Sequence, residues 1–147
     1  MKKVKVGIEN EQEWMPFLEG KKVGLVTNPT GVNSKLQSTI DILQKEVEII
    51  KLFSPEHGVR GDIKAGEKVD YYVDEKTKLP VYSLYGENKK PSSDMLEGID
   101  VLAIDIQDVG SRLYTYLYTM SYCMEACKEE GITFLVFDRP NPIGGIK

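Results

Sequence analysis

Four short stretches gather most of the residue types that could do chemistry. They are Asn28-Pro-Thr-Gly31, Pro55-Glu-His-Gly-Val-Arg-Gly-Asp62, Gln107-Asp-Val-Gly-Ser-Arg-Leu-Tyr-Thr-Tyr116 and Asp138-Arg-Pro-Asn-Pro-Ile-Gly-Gly145. Together they hold the one histidine, His57, and every arginine of the chain, Arg60, Arg112 and Arg139, while all other basic residues are lysines spread elsewhere. A guanidinium presents a planar fork that pairs bidentately with a carboxylate or phosphate, whereas surface solubility is served equally well by lysine. Arginine confined to these stretches therefore reads as anion recognition. The competing reading is internal: the three arginines pair with Asp62, Asp108 and Asp138 and stiffen three loops.

Among the acids, Glu56 stands out. It follows a hydrophobic run and Pro55, and precedes a glycine-bounded turn, which places its carboxyl group at the end of a strand where a substrate could meet it. Asp105 lies inside the otherwise apolar run Val101-Leu-Ala-Ile-Asp-Ile106, a costly position unless the charge is paired or used. By the two-residue period of a strand, Asp105 and Gln107 share one face, and Ile106 and Asp108 the other. A carboxyl-rich crevice with Arg, Asn and Tyr donors suits glycoside cleavage, in which a carboxylic acid protonates the leaving oxygen and a second group assists at the opposite face. Glu56 is the expected acid, and His57 beside it is also expected among the catalytic residues. The second group is Asp105 or Asp108, either of which could instead orient His57 or Arg112. Asn28, Arg60, Gln107, Asp108, Arg112, Tyr114, Arg139 and Asn141 are expected to line the substrate pocket. Of the tyrosines that run from Tyr114 through Tyr116 and Tyr118 to Tyr122, Tyr114 is taken for the site because it adjoins the loop; the others read as core or helix surface.

Other chemistries lack their signatures. The chain has no Gly-x-Ser-x-Gly elbow, no Gly-x-Gly-x-x-Gly after its first strand and no Gly-x-x-x-x-Gly-Lys-Ser/Thr, so the nucleophile elbow and the usual phosphate cradles are missing. Cys123 and Cys127 sit four apart in an apolar pattern, and a single histidine cannot complete a zinc set with them. They read as buried thiols on a helix, and neither a metal nor another cofactor is expected.

The elements that would position these residues follow from hydrophobic periodicity. Strands are expected at Lys22–Thr27, Val47–Phe53, Leu79–Tyr85, Val101–Ile106 and Ile132–Phe137, rich in β-branched and aromatic residues. A short helix is expected around Asn10–Phe17. A second, of about three turns, is opened by a Ser34/Gln37 capping box and carries Leu36, Ile40 and Leu43. Ser92–Glu97 forms a third, and a long one carries Leu117, Met120, Met124 and Cys127 on its buried face until Gly131 stops it. Periodicity is poor from Ile63 to Lys78. Strands alternating with helices imply βαβ crossovers, hence an α/β, doubly wound, mostly parallel Rossmann-like sheet of about five strands with helices on both faces. Loops after parallel strands emerge along one edge, where such folds bind ligands. The four reactive stretches are those loops.

The length of 147 residues, with 41% hydrophobic and 29% charged side chains, suits a single domain spanning 1–147 with its own core and excludes disordered and collagen-like classes. A formal charge of −4 offers no general attraction to nucleic acid or anionic lipid. No apolar run approaches the roughly 18 residues of a membrane helix, and Lys2-Lys3 is not followed by an apolar signal region. The chain as written is expected in the cytoplasm, with no nucleic-acid or membrane partner.

Five segments, in order, resemble the NamZ-type exo-β-N-acetylmuramidases, glycoside hydrolase family 171, in its N-terminal domain. They are Gly24-Leu-Val-Thr-Asn28, Leu52-Phe-Ser-Pro-Glu-His-Gly58 with Arg60-Gly61, Leu79-Pro-Val-Tyr-Ser-Leu-Tyr-Gly86, Asp105-Ile-Gln-Asp-Val-Gly110 with Arg112 and Tyr114-Thr-Tyr116, and Asp138-Arg-Pro-Asn-Pro-Ile-Gly-Gly145. The resemblance implies a bacterial enzyme of peptidoglycan turnover that releases N-acetylmuramic acid from the non-reducing end of muropeptide-derived glycans. It makes Glu56, in the Pro-Glu-His-Gly motif, the catalytic residue, and gives the arginines a target in the lactyl carboxylate. The family's chain continues past Asp-Arg-Pro-Asn-Pro, which implies a partner for this domain in a second part of the same protein that helps wall the cleft. Family members are often exported. The alternative is a non-catalytic module that binds an anionic sugar or nucleotide through the Arg60/Arg112/Arg139 edge.

Overall fold

The computed structural model describes residues 4–61, 63 and 69–144. Its centre is a six-stranded sheet in the order β3-β4-β2-β1-β5-β6, formed by Lys22–Thr27 (β1), Glu48–Ser54 (β2), Tyr71–Val73 (β3), Pro80–Ser83 (β4), Val101–Asp105 (β5) and Thr133–Val136 (β6). All neighbours run parallel except β3, which pairs antiparallel with β4. The chain steps outward from β1 through β2 to β4, then returns to the other side of β1 for β5 and β6. The direction of winding thus reverses between β1 and β5, and a crevice opens at their carboxyl ends.

The four helices, Glu11–Leu18 (α1), Thr39–Glu46 (α2), Ser93–Leu96 (α3) and Tyr116–Glu130 (α4), divide between the two faces. Trp14 and Leu18 of α1 and Ile40 and Leu43 of α2 pack with Val23, Leu25, Leu52 and Ala103. On the other face Leu96 of α3 and Cys123, Ala126 and Cys127 of α4 pack with Val26, Phe53, Leu102 and Ile104. Every residue of β5 is buried, as a central strand covered on both sides requires. Each fully buried Leu or Val of this kind contributes roughly 1.5–3 kcal/mol relative to exposure. On the α4 face Gly24 leaves room for the tips of the Ile99 and Leu102 side chains, which a Cβ would approach to 2.7 and 2.9 Å.

Several expectations need correction. The sheet has six strands rather than about five, because Tyr71–Val73 adds an antiparallel edge within the stretch of poor periodicity. Helix α2 starts at Thr39, not at Ser34. Asn33 Oδ1 accepts from the backbone N–H groups of Lys35 and Gln37 and folds a turn there, Leu36 is left-handed at φ 60°, and its side chain is exposed. The buried stripe of α4 runs through Thr119, Cys123, Ala126 and Cys127, which leaves Leu117 and Met124 largely exposed. Small side chains let the helix lie close to the sheet, and the bulkier apolar ones turn outward. Gly131, at φ 68°, ends that helix in the left-handed conformation expected of it. Among the described residues no helix is long and apolar enough to cross a membrane.

Candidate active site

Strand β2 ends at Ser54, and Pro55 is buried directly after it, so the chain turns out at Glu56. Glu56 and His57 stand partly open to solvent, with His57 Nε2 3.8 Å from Glu56 Oε1. His57 and Gly58 are both left-handed, at φ 73° and 78°. For His57 that conformation costs about 1–2 kcal/mol, a local strain beside the proposed acid.

The loop after β1 is built around Asn28, which is buried. Its Oδ1 accepts from the Thr30 backbone N–H at 3.0 Å and from Thr30 Oγ1 at 2.5 Å. Thr30 Oγ1 in turn accepts from the Gln107 backbone N–H at 2.9 Å, tying this loop to the one after β5. Gln107 Nε2 donates to the carbonyls of Asp108, at 2.7 Å, and Pro140, at 3.0 Å, which adds the loop after β6. Gly31 makes the close approach possible: a Cβ there would lie 2.1 Å from Thr27 Oγ1 and 2.9 Å from the Asp105 carbonyl. Asp108, half-buried, accepts from the Gly110 backbone N–H. Asn141 is exposed, its Oδ1 accepting from the Ile143 N–H and packing where a side chain on Gly110 would sit.

Tyr116 is the first residue of α4 and is half-buried. Burial, followed by the Tyr114 hydroxyl and the carboxylates of Glu56 and Asp108, pushes the Tyr116 pKa above its ordinary value, partly offset by a hydrogen bond from the Asn28 side chain. The Tyr114 and Tyr116 rings are 5.8 Å apart, with Tyr114 about half exposed. The place of Tyr116 at the start of α4, half-buried, agrees with the core or helix-surface position expected for it.

Asp105 does not share this opening. It is 1% exposed, and it accepts from Arg139 Nε at 2.5 Å, from Arg139 Nη2 at 2.9 Å and from Thr39 Oγ1. Arg139 Nη2 also donates to the Val32 carbonyl at 2.8 Å. The pair therefore latches β5, the loop after β6, the loop after β1 and the start of α2. Arg60 is engaged in the same manner elsewhere: its Nε and Nη2 donate to Asp74 at 2.7 and 3.1 Å, and Nη2 lies 3.4 Å from Asp41. The Asp74 hydrogen bond raises the Arg60 pKa, and the hydrogen bonds from Arg60 and Thr77 hold Asp74 low against the opposing effect of its burial. Two of the three arginines are thus committed to internal carboxylates, Arg139 to Asp105 rather than to Asp138 and Arg60 to Asp74, while Asp62, the partner expected for Arg60, lies outside the described residues. Arg112 is exposed and has no ion-pair partner among the described residues.

Beside Tyr116, a groove of about 390 Å³ is lined by Leu84, Tyr85, Lys89, Thr115, Tyr118 and Tyr122. Among the described residues no three His, Cys, Asp or Glu side chains are grouped to hold a metal ion.

Residues 23–147 match the family described as Exo-beta-N-acetylmuramidase NamZ, N-terminal. The chain is 56% identical over 146 residues to the peptidoglycan beta-N-acetylmuramidase NamZ of Bacillus subtilis (strain 168), covering 97% of this chain and 35% of that protein. Two crystal structures of DUF1343 family proteins from Bacteroides fragilis NCTC 9343 superimpose on it. One has a TM-score of 0.87 at 54% identity, over 97% of this chain and 36% of the other. The second has a TM-score of 0.81 at 37% identity, over 96% and 36%. The chain spans about a third of the length of these relatives.

Proposed function

The chain belongs to the exo-beta-N-acetylmuramidase NamZ family, in its N-terminal region, and from that premise we propose that it carries the acid-bearing half of a glycosidase site. The reaction is exo-acting release of N-acetylmuramic acid from the non-reducing end of peptidoglycan-derived glycans. The observation that carries this reading is the exit of Glu56 from β2 at the carboxyl edge of the parallel sheet, next to β1, whose loop Asn28, Thr30 and Gln107 tie to the loops after β5 and β6. Glu56 lies at a strand exit, partly open, with no salt-bridging cation other than the weakly placed His57 among the described residues. Such a carboxyl group is free to give a proton to a glycosidic oxygen, which Asp105, sealed by Arg139 and Thr39, is not.

Of the two candidates for the second role, Asp108 is favoured, because Asp105 is held by Arg139 and Thr39 and serves as a positioning residue. Asn28 and Gln107 fix the loops, and Arg139 acts on the site through Asp105. Arg112 is the arginine left to meet the lactyl carboxylate, with Tyr114 and Asn141 beside the opening.

Residues 1–147 form one α/β domain in this reading, and the part of the relatives that lies beyond the match forms a second part that walls the crevice. Exposed apolar side chains next to the opening, Leu113, Leu117 and Tyr118, support a cover of that kind. The binding-module alternative has less support, because Arg60 and Arg139 of its anion edge already hold internal carboxylates.

Activity of the full-length protein on an aryl β-N-acetylmuramide tests the reading. Glu56→Gln should abolish turnover and leave thermal unfolding nearly unchanged. Retained turnover would remove Glu56 from the chemistry.

A further inference from the structure

Strand β3 is three residues long, and its Tyr71 and Val73 are exposed, so it adds little to the core. What it and the turn after it supply is a pair of side chains behind the turn that carries Glu56. The Tyr72 hydroxyl accepts from the Val59 backbone N–H at 3.0 Å. The Asp74 carboxylate takes both arms of the Arg60 fork, Nε at 2.7 Å and Nη2 at 3.1 Å. Asp74 is 1% exposed and is itself fixed by the Thr77 backbone N–H at 2.9 Å and Thr77 Oγ1 at 2.7 Å. Strand β3 is in turn paired with β4, and β4 with β2.

The acid-bearing turn is therefore gripped at both ends. Pro55 is buried directly after β2, and Val59 is buried in the core next to the clamped Arg60. Only Glu56, His57 and Gly58 lie between them. Two of these three are left-handed, at φ 73° and 78°, a conformation that a residue other than glycine keeps only where its surroundings impose it.

We propose that Tyr72 and Asp74 are positioning residues of this site, holding the Glu56 turn in its productive place through Val59 and Arg60. The assignment rests on the glycosidase reading of Glu56 and deepens it. A buried backbone N–H needs an acceptor, so removal of the Tyr72 oxygen lets the turn shift until Val59 finds another. A positioned general acid contributes about 10²–10⁴-fold to rate, and a misplacement of about 1 Å can cost about 10²-fold. The short edge strand thus serves the chemistry from behind the turn, without touching substrate.

The experiment uses the full-length protein and two substrates: a disaccharide with N-acetylmuramic acid at its non-reducing end, and 2,4-dinitrophenyl β-N-acetylmuramide. A sugar is a poor leaving group that needs a proton from the acid, whereas dinitrophenolate departs with far less help. Tyr72→Phe keeps the ring and removes the acceptor; Arg60→Lys keeps the charge and removes the fork. Each should lower kcat/KM on the disaccharide by about 10-fold or more and on the dinitrophenyl glycoside by several-fold less, because what is lost is the placement of the acid. A loss of folded protein would scale both substrates equally. Should Tyr72→Phe fail to fold, Arg60→Lys carries the test by itself. Glu56→Gln is measured in parallel on the disaccharide, and if it keeps activity the glycosidase reading falls and the clamp falls with it. If activity depends on Glu56 but the variants stay within about threefold of wild type, or lose equally on both substrates, the clamp alone is overturned.

Discussion

Replacing Asp105 with Asn removes the charge that Arg139 faces without changing the shape of the side chain. The Arg139 side chain is 8% exposed and that of Asp105 1%, so the guanidinium left behind cannot be solvated without opening the loops around it. Two charge-assisted hydrogen bonds, at 2.5 and 2.9 Å, lose their ionic character, and Thr39 Oγ1 loses its carboxylate acceptor. Breaking a buried pair by removing one partner costs about 3–5 kcal/mol. With a urea slope of about 2 kcal/mol per M, that moves the unfolding midpoint down by about 1.5–2.5 M. Trp14 is a suitable reporter, since it is the one tryptophan of the chain and packs edge-on against Phe137, 6.0 Å away and two residues before Arg139. The double variant Asp105→Leu/Arg139→Met should lose less than Asp105→Asn, because no unpaired charge remains buried. A midpoint shift below about 0.5 M for Asp105→Asn, equivalent to about 1 kcal/mol on that slope, would refute the latch. Activity lost at unchanged stability would instead make Asp105 a group that touches substrate.

Two further predictions concern titration. Asp74 is held below its ordinary value of 3.8 by Arg60 and Thr77, so the stability it contributes is present above that pH and lost as the pH falls through its lower folded-state value. Asp74→Asn should flatten the acid limb of a stability profile below about pH 4; an unchanged limb would contradict the pairing. Burial pushes the Cys123 thiol up to about 12 and the Cys127 thiol to about 11. A thiol reagent at pH 8 should therefore leave both untouched in the folded protein and label both in urea, whereas rapid labelling of the folded state would show that α4 opens.

The sheet was legible in the sequence where strands are covered on both faces, as in Val101-Leu-Ala-Ile-Asp105, because burial forces a continuous apolar run. Strand β3 was not, since three residues at an edge, two of them exposed, carry no periodicity. The capping-box pattern at Ser34 competed with Asn33, whose carboxamide captures the same backbone donors and delays α2 to Thr39. Arginine stood out for a sound physical reason, the bidentate fork. The fork proved to serve Asp74, 14 positions away, and Asp105, 34 positions away, pairings that only the folded topology creates.

The central claim is that Glu56 is the acid of a muramic-acid-releasing site. The most direct measurement is free N-acetylmuramic acid released from a peptidoglycan-derived glycan by full-length protein, wild type against Glu56→Gln. Steady release by the wild type and none by the variant is the predicted result; equal release by both would contradict it.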